Sequence, residues 1–433
     1  LLEADIVGLA HDGRGIARVD GKAVFVDGAL PGERVSLRVV KSRRHMDEAF
    51  LGEILRASPD RVAPKCAHFG ICGGCSLQHL APAAQIAVKQ DQLLEDLARI
   101  GRVVPERVLA PLGGPEWGYR RRARLGVKYV HKKGRVLAGF RERDKPYLAD
   151  LAACEVLVGE LRSLPQDLAA LVDSFEMREH VPQVEVAVGD EATALVFRVM
   201  QTPSAADQGK LAAFGRERGL RIYLQPGGLD SIRILGEGPA PSALAYRIAS
   251  ADVRIEFGPV DFIQVNAAIN DAMVAAALAE LQVTATDRVL DLFSGLGNFT
   301  LPLARRAAAV VGVEGDAGLV AKARANAASN QIGNAAFFTE NLFEPKDFGP
   351  WAGGRFERVL LDPPRAGARE VVERMASWRP KRVVYISCHP GSLARDAGIL
   401  CESQGFRLVA AGVMDMFPHT THVESIAVFE RSA

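Results

Sequence analysis

No stretch of this 433-residue chain stays apolar long enough to cross a bilayer, which takes roughly 18–20 such residues. A charged-then-apolar leader is also missing from its first residues, so the expected compartment is the cytoplasm. Net charge is nearly absent, +1 from 53 Lys and Arg against 52 Asp and Glu. With 48% hydrophobic and 24% charged residues, the balance is that of an ordinary globular protein. There is no strong internal repeat and no low-complexity segment. Cysteine is scarce at six residues, and in a reducing cytosol these are not expected to pair. The length is too great for one compact core and implies two or three domains.

Two of these scarce features are unevenly spread. From Tyr119 to Lys145 there are eleven Lys and Arg against only Glu142 and Asp144, opening with Arg120, Arg121, Arg122 and Arg124. Such a stretch fits a phosphate-backbone partner, and equally a solvated hairpin with charged flanks. Three of the six cysteines, Cys66, Cys72 and Cys75, crowd into ten residues, with 78 residues between Cys75 and Cys154.

Residues 1–57 read as short strands separated by turns. His11-Asp12-Gly13-Arg14-Gly15, Asp20-Gly21-Lys22 and Leu30-Pro31-Gly32-Glu33 punctuate alternating runs such as Ala23–Val26 and Val35–Val40. Several strands in so little chain predict a small OB-like barrel. Residues 58–258 read as a central α+β domain. It contains the cysteine loop, an amphipathic helix over Ala84–Ile100 with Ile86, Leu93, Leu94 and Leu97 on one side, and strands at Val184–Val188 and Ala194–Val199. From about 259 to 433, helices alternate with strands at Arg288–Phe293, Ala309–Glu314, Arg358–Asp362 and Arg382–Ser387. This alternation predicts an α/β, doubly wound parallel sheet.

In such sheets ligands bind beyond the carboxyl ends of the strands, and the chemically interesting segments here all fall at those ends. Asp291–Thr300 (Asp-Leu-Phe-Ser-Gly-Leu-Gly-Asn-Phe-Thr) follows a strand and opens a helix, and its glycines permit close backbone approach to a ligand. Glu314 ends the next strand, nineteen residues after Gly295, where an acid can bond ribose hydroxyls. Thr300 replaces the third glycine of the dinucleotide pattern, which favours a cofactor without a pyrophosphate, such as S-adenosylmethionine. Asp362-Pro363-Pro364-Arg365 closes one strand with an acid held on a stiff exit. Cys388, in Ser387-Cys388-His389-Pro390, stands where a nucleophile could meet the cofactor; a small buried thiol is the plainer alternative, and the one assigned to Cys401. Glu424, at the end of Phe417-Pro418-His419-Thr420-Thr421-His422-Val423-Glu424, immediately precedes the last strand, expected at Ser425–Glu430, and is a candidate general base.

In order along the chain, Gln264-Val265-Asn266, the 291–300 loop, Asp362-Pro363-Pro364-Arg365, Ser387–Pro390 and Phe417–Glu424 resemble the RNA uracil-5-methyltransferases. The resemblance implies that Cys388 adds to C6 of a uracil and that Glu424 removes the C5 proton. It also implies that Gln264, Phe293, Asn298, Glu314, Asn341 and Asp362 line the S-adenosylmethionine site. Two positions depart from the family's habit: Asn is common where His389 stands, and Gly where Thr421 stands.

Four thiolates from Cys66, Cys72, Cys75 and Cys154 suit a tetrahedral zinc or a [4Fe–4S] cluster. Only one short Cys-x-x-Cys unit is present, which tilts the reading toward iron–sulfur. Cys72-Gly73-Gly74-Cys75 with Gln78 is similar to the cluster segment of the family's 23S rRNA branch, and the N-terminal barrel resembles a TRAM domain. The resemblance therefore implies methylation of a 23S ribosomal RNA uridine in a loop, flipped out of its stack, by a monomer with no membrane partner. The alternatives are the same chemistry on tRNA, or a non-catalytic iron–sulfur RNA-binding protein on this scaffold.

Overall fold

The computed structural model describes residues 2–236, 243–344 and 348–432. The first strands, Leu2–Leu9, Gly15–Val19, Lys22–Asp27, Arg34–Ser42 and Met46–Arg56, close into a barrel with the fifth strand between the third and fourth. Alternation points Ile6, Val24, Val26, Val35 and Leu37 inward. The turn Leu30–Glu33 is tied down by Glu33, whose buried carboxylate accepts from Leu30 N at 2.8 Å and from Arg61 Nε at 2.6 Å. Arg61 lies beyond the barrel, so this pair fastens the barrel to the next segment.

The central domain is built on a six-stranded sheet containing the expected strands as Gln183–Val188 and Thr193–Arg198, with helices Leu164–Asp173 and Ala205–Arg218. Among the opening arginines of the basic stretch, Arg121 and Arg122 turn into the protein. Arg121 is buried, donates from Nε to Gln264 O at 3.1 Å, and lies 4.6 Å over the Tyr246 ring. Arg122 and Arg124 both pair with Glu185, at 2.7 and 3.0 Å. Lys128, Lys132, Lys133 and Arg135 remain exposed, although Lys133 and Arg135 share Asp150.

The last region forms an eight-stranded sheet. Its order is Ala335–Thr339, Ala309–Glu314, Arg288–Leu292, Arg358–Leu361, Arg382–Ser387, Glu424–Arg431, Phe406–Met414 and Arg107–Val108. The first five are mutually parallel; Glu424–Arg431 inserts antiparallel to both neighbours. Chain order reverses beside Arg288–Leu292, which opens a crevice at the carboxyl ends. Arg107–Val108 comes from within residues 58–258, yet it extends this sheet's edge.

The helix expected at Ala84–Ile100 runs Pro82–Asp96 and continues through a π turn, Leu97–Gly101. Its buried face differs from the apolar stripe. Gln85, Lys89, Leu93 and Leu97 are buried, while Ile86 and Leu94 are half-buried. Two polar residues one turn apart face inward because the loop they meet offers polar partners, described below.

Replacing Glu33 with Ala leaves Arg61 without its buried partner and two backbone N–H groups unmet, and is expected to cost about 3 kcal/mol. Burial desolvates its carboxyl, but the bonds from Arg61, Leu30 N and Ser58 N and the Arg61 charge together outweigh this and hold the pKa below the usual 4.5. The stabilisation is therefore full above that value and is lost as pH falls through the depressed pKa. Urea denaturation of wild type and variant should diverge at neutral pH and converge in acid.

Candidate active site

The pairing of the strands Arg382–Ser387 and Glu424–Arg431 sets the site. Ser387 lies opposite Ser425, so the next antiparallel step brings Cys388 beside Glu424. The neighbouring parallel strand ends at Leu361, placing Asp362 on the same rim. All three line one cavity of about 590 Å³. The other expected residues, Gln264, Phe293, Asn298, Glu314 and Asn341, line it too.

The loop after Arg288–Leu292 bends sharply. Phe293 has φ 65°, a conformation unfavourable for an aromatic residue, followed by Gly295 at 52° and Gly297 at 93°. Phe293 N and Ser294 N both donate to Val313 O, at 2.9 and 3.0 Å. Glu314 accepts from Gly295 N at 3.0 Å with one carboxylate oxygen and from Asp316 N at 3.1 Å with the other. Its carboxylate is thus fixed at the strand end. Thr300 is fully buried and donates its hydroxyl to Asp291, so the residue replacing the third glycine braces the loop from below.

Asn298 is held on both sides. Its Oδ1 accepts from Tyr246 OH at 2.9 Å and its Nδ2 donates to Asn270 Oδ1 at 3.0 Å. Asn341 Oδ1 accepts from Phe343 N at 3.1 Å, and the Phe343 ring lies 5.6 Å from that of Phe293. Together with Leu296, Leu319 and Leu342, these rings make one wall apolar enough for a planar base.

The acids at the other end are desolvated. Burial pushes Glu424 up to about 8, with Asp362 adding to the rise and Lys89 and Arg365 opposing it. Burial alone pushes Asp362 to about 7. The Cys388 thiol is raised to about 11 by burial, then by Glu424 and Asp362, with Arg365 pulling the other way. A cysteine and two carboxyls, all with raised pKa, thus meet at one cavity rim beside the exposed Arg365. Strongly raised values of this kind are common where protons are moved.

His389 occupies the position where the family often has Asn, and does the same local work. It caps the helix Pro390–Ser403, with Nδ1 accepting from Ser392 N at 3.1 Å. Thr421, at the family's frequent Gly, packs toward the barrel; a Cβ on Gly13 would come within 3.1 Å of its Cγ2. Lining residues that motif reading did not single out include Tyr246, Phe262, Phe343, Leu319 and Leu342. Tyr246 and Phe262 sit in no recognisable motif. Arg365 and His422 did lie inside quoted motifs, but spacing could not reveal that they face the cavity.

Away from this site, Cys66, Cys72, Cys75 and Cys154 line a second, small cavity with His68, Phe69 and Phe140. Burial is the main cause raising the thiols of Cys72, to about 11, Cys75, to about 12, and Cys154. Among the described residues no three His, Cys, Asp or Glu side chains are gathered as a single-ion site. The cysteine loop is hydrogen-bonded to the end of the basic stretch, Gly73 N to Arg141 O at 2.9 Å and Arg143 N to Ile71 O at 2.8 Å.

Sheet order and strand-end cavity are those of a methyltransferase. The profile of the tRNA (Uracil-5-)-methyltransferase family matches residues 244–432, and that of the TRAM domain matches residues 2–49. A crystal structure of the Pyrococcus abyssi tRNA (uracil-54, C5)-methyltransferase with S-adenosyl-L-homocysteine shares the fold, at a TM-score of 0.74 and 24% identity over 99% of this chain and 100% of that one. The 23S rRNA (uracil(1939)-C(5))-methyltransferase RlmD of Methylococcus capsulatus is 52% identical over 99% of this chain and 97% of its own. That of Alkalilimnicola ehrlichii is 53% identical over 100% and 97%. The chain belongs to the RNA uracil-5-methyltransferase family, in its RlmD branch. Among the described residues no helix is long and apolar enough to cross a membrane.

A group such as Glu424, whose folded pKa is raised from 4.5 to about 8, favours the folded state fully below its unfolded pKa and loses that contribution as pH rises through the folded one. Glu424→Gln removes this dependence. The thermal midpoint of the variant relative to wild type should therefore climb between about pH 5 and 9. A difference that stays flat across that interval would contradict a desolvated carboxyl at this position.

Proposed function

We propose that the protein transfers a methyl group from S-adenosylmethionine to C5 of a uridine in 23S ribosomal RNA, with Cys388 as nucleophile and Glu424 as base. The observation that carries this reading is the strand register that sets Cys388 beside Glu424 on the rim of the cavity. C5 of uracil is a poor nucleophile. Cys388 loses its thiol proton to solvent and adds as the thiolate to C6, which moves the electron pair of the C5–C6 bond toward O4 and leaves C5 able to attack. Bound S-adenosylmethionine supplies the electrophilic methyl. Glu424 then takes the C5 proton, the C5–C6 double bond re-forms and the C6–S bond breaks, returning the thiolate. Glu424 suits this task because its pKa of about 8 makes it a stronger base than an exposed carboxylate.

In this reading Gln264, Phe293, Asn298, Glu314, Asn341 and Asp362 hold the cofactor, with Glu314 on the ribose and the Phe293–Phe343 wall on the adenine. The target loop uridine is flipped out of its stack to reach Cys388, because the thiol lies on a cavity wall that a paired base cannot approach. The protein acts as a monomer in the cytoplasm. The similarity to RlmD enzymes over the whole chain supports 23S rather than transfer RNA as substrate.

We further propose that Cys66, Cys72, Cys75 and Cys154 hold a [4Fe–4S] cluster. The donor set fits. Four thiols line one small cavity, and only one short Cys-x-x-Cys unit is present, where zinc ribbons usually pair two. Methyl transfer needs no electron, so the group's contribution is to join the cysteine loop to Cys154 and the basic segment.

With RNA carrying 5-fluorouridine at the target, fluorine blocks the last proton removal and the protein should remain covalently attached; Cys388→Ala should form no adduct. Glu424→Gln should lose about 10²-fold or more in turnover and accumulate a methylated adduct on ordinary uridine. An adduct unchanged in Cys388→Ala would reject the nucleophile, and methylation of a tRNA transcript in preference to a 23S fragment would reject the substrate. Anaerobically purified protein should be coloured, with the broad visible absorption of a cysteine-ligated cluster. A colourless protein containing zinc would reject the cluster.

A further inference from the structure

Two buried polar side chains on one helix face are not used by the chemistry above. Lys89 is 2% exposed, and its Nζ donates to Asp415 Oδ1 at 2.6 Å and to Phe417 O at 3.0 Å. One turn earlier, Gln85 is 1% exposed; its Oε1 accepts from His419 N at 2.8 Å, and its Nε2 donates to Leu77 O and Leu80 O. Both grip the connection 415–423 between the strands Phe406–Met414 and Glu424–Arg431. In the ladder between those strands, Met414 lies directly opposite Glu424. Asp415, the residue Lys89 holds, is therefore the next residue after Glu424's partner.

Other tethers end on the same few residues. Tyr119 OH donates to Pro418 O at 3.1 Å, Ser76 N and Leu77 N both donate to His419 O at 2.9 Å, and Asp415 N donates to Leu112 O at 2.8 Å. Most of these fix backbone. Only Lys89 brings a charge. An unpaired buried ammonium is strongly disfavoured, so its retention beside one carboxylate, within electrostatic reach of a second, calls for a reason beyond packing.

We propose that Lys89, through its ion pair with Asp415, is a positioning residue for Glu424: it fixes the start of the hairpin connection and supplies the counter-charge facing the base. The proposal rests on the reading of Glu424 as the group that removes the C5 proton. The charged and titratable groups facing Glu424 are Lys89 from the helix Pro82–Asp96, Asp362 and Arg365 from the strand end beyond Leu361, and Cys388 from the strand Arg382–Ser387. Lys89 in turn faces Asp415 and Glu424, with His419 and His422 near it on the held connection. Of the two cations facing Glu424 among the described residues, Arg365 is exposed and Lys89 is buried. Solvent screens the first and leaves the second at fuller strength.

The sign of the effect follows. Lys89 lowers the proton affinity of Glu424, so losing its charge raises that affinity further, and the carboxylate form appears only at higher pH. Neutralising Asp415 leaves the Lys89 charge less compensated and moves Glu424 the opposite way. Two substitutions of neighbouring residues thus shift one titration in opposite directions. Lost packing cannot do this.

The test uses the full-length protein with its cluster intact, a 23S rRNA fragment containing the target uridine, and methyl-labelled S-adenosylmethionine. Lys89→Met should lower turnover about 10-fold or more, move the acid limb of the pH–rate profile upward, and accumulate a methylated covalent adduct on ordinary uridine. Asp415→Asn, which keeps an acceptor for Lys89, should move the acid limb downward. Lys89→Arg should restore turnover and abolish the adduct. If Lys89→Met is too unstable to purify, the Asp415→Asn profile decides the matter alone. An unchanged acid limb in Asp415→Asn, or Lys89→Met slowed with no adduct, overturns the proposal. Glu424→Gln run alongside separates the two readings. If it accumulates adduct and Lys89→Met does not, only the role of Lys89 fails. If Glu424→Gln itself accumulates none, the assignment of the base fails first.

Discussion

The antiparallel pairing of Glu424–Arg431 between Arg382–Ser387 and Phe406–Met414 is the constraint on which the rest of the site depends. A register slip of one residue would turn each side chain to the opposite face. It would separate Cys388 from Glu424 and turn that carboxyl into the opposite layer, now filled by Ala427 and Phe429. The packing of both faces of this strand therefore sets the catalytic geometry. Ser387 and Ser425 mark the last regular rung, and the Ser425 hydroxyl donates to Ser387 O at 3.3 Å.

The site is also supported from regions far away in sequence. The helix Pro82–Asp96 holds the connection before Glu424 through Gln85 and Lys89, Arg121 fixes the backbone of Gln264, and Tyr246 and Asn270 immobilise Asn298. The residues after Cys75 bind the carbonyl of His419, whose ring stacks on Trp117 at 3.8 Å. The front half of the chain is thus both the proposed RNA-facing, cluster-bearing part and a support for the cavity. The basic stretch 119–145 is accordingly divided: Arg121 and Arg122 organise the interior, and Lys128 and Lys132 further along it stay exposed.

The two departures from the family's usual residues illustrate how far local chemistry is interchangeable. His389 caps its helix through a ring nitrogen, which Asn could do through its amide oxygen. Thr421 replaces Gly where the loop meets the barrel turn at Gly13, and the left-handed backbone of Gly13, at φ 88°, leaves that turn without a side chain facing Thr421.

Strand-end motifs, the alternation of helix and strand after about 259, the small barrel and the family were legible in the sequence. Each depends on local pattern: period-2 or helical spacing, glycines where the chain must bend, and acids or a cysteine just after apolar runs. The supporting residues were not legible in this way. An apolar stripe placed Ile86 and Leu94 on the buried side of a helix that in fact turns Gln85 and Lys89 inward, because their partners lie more than three hundred residues further along the chain. Arg121 and Arg122 read as surface charge for the same reason. Sequence determined which groups are available for chemistry and roughly where each element ends. Only the tertiary structure decided which buried polar groups meet, because pairing across the fold, and not the local pattern, determines where a charge can be desolvated and still satisfied.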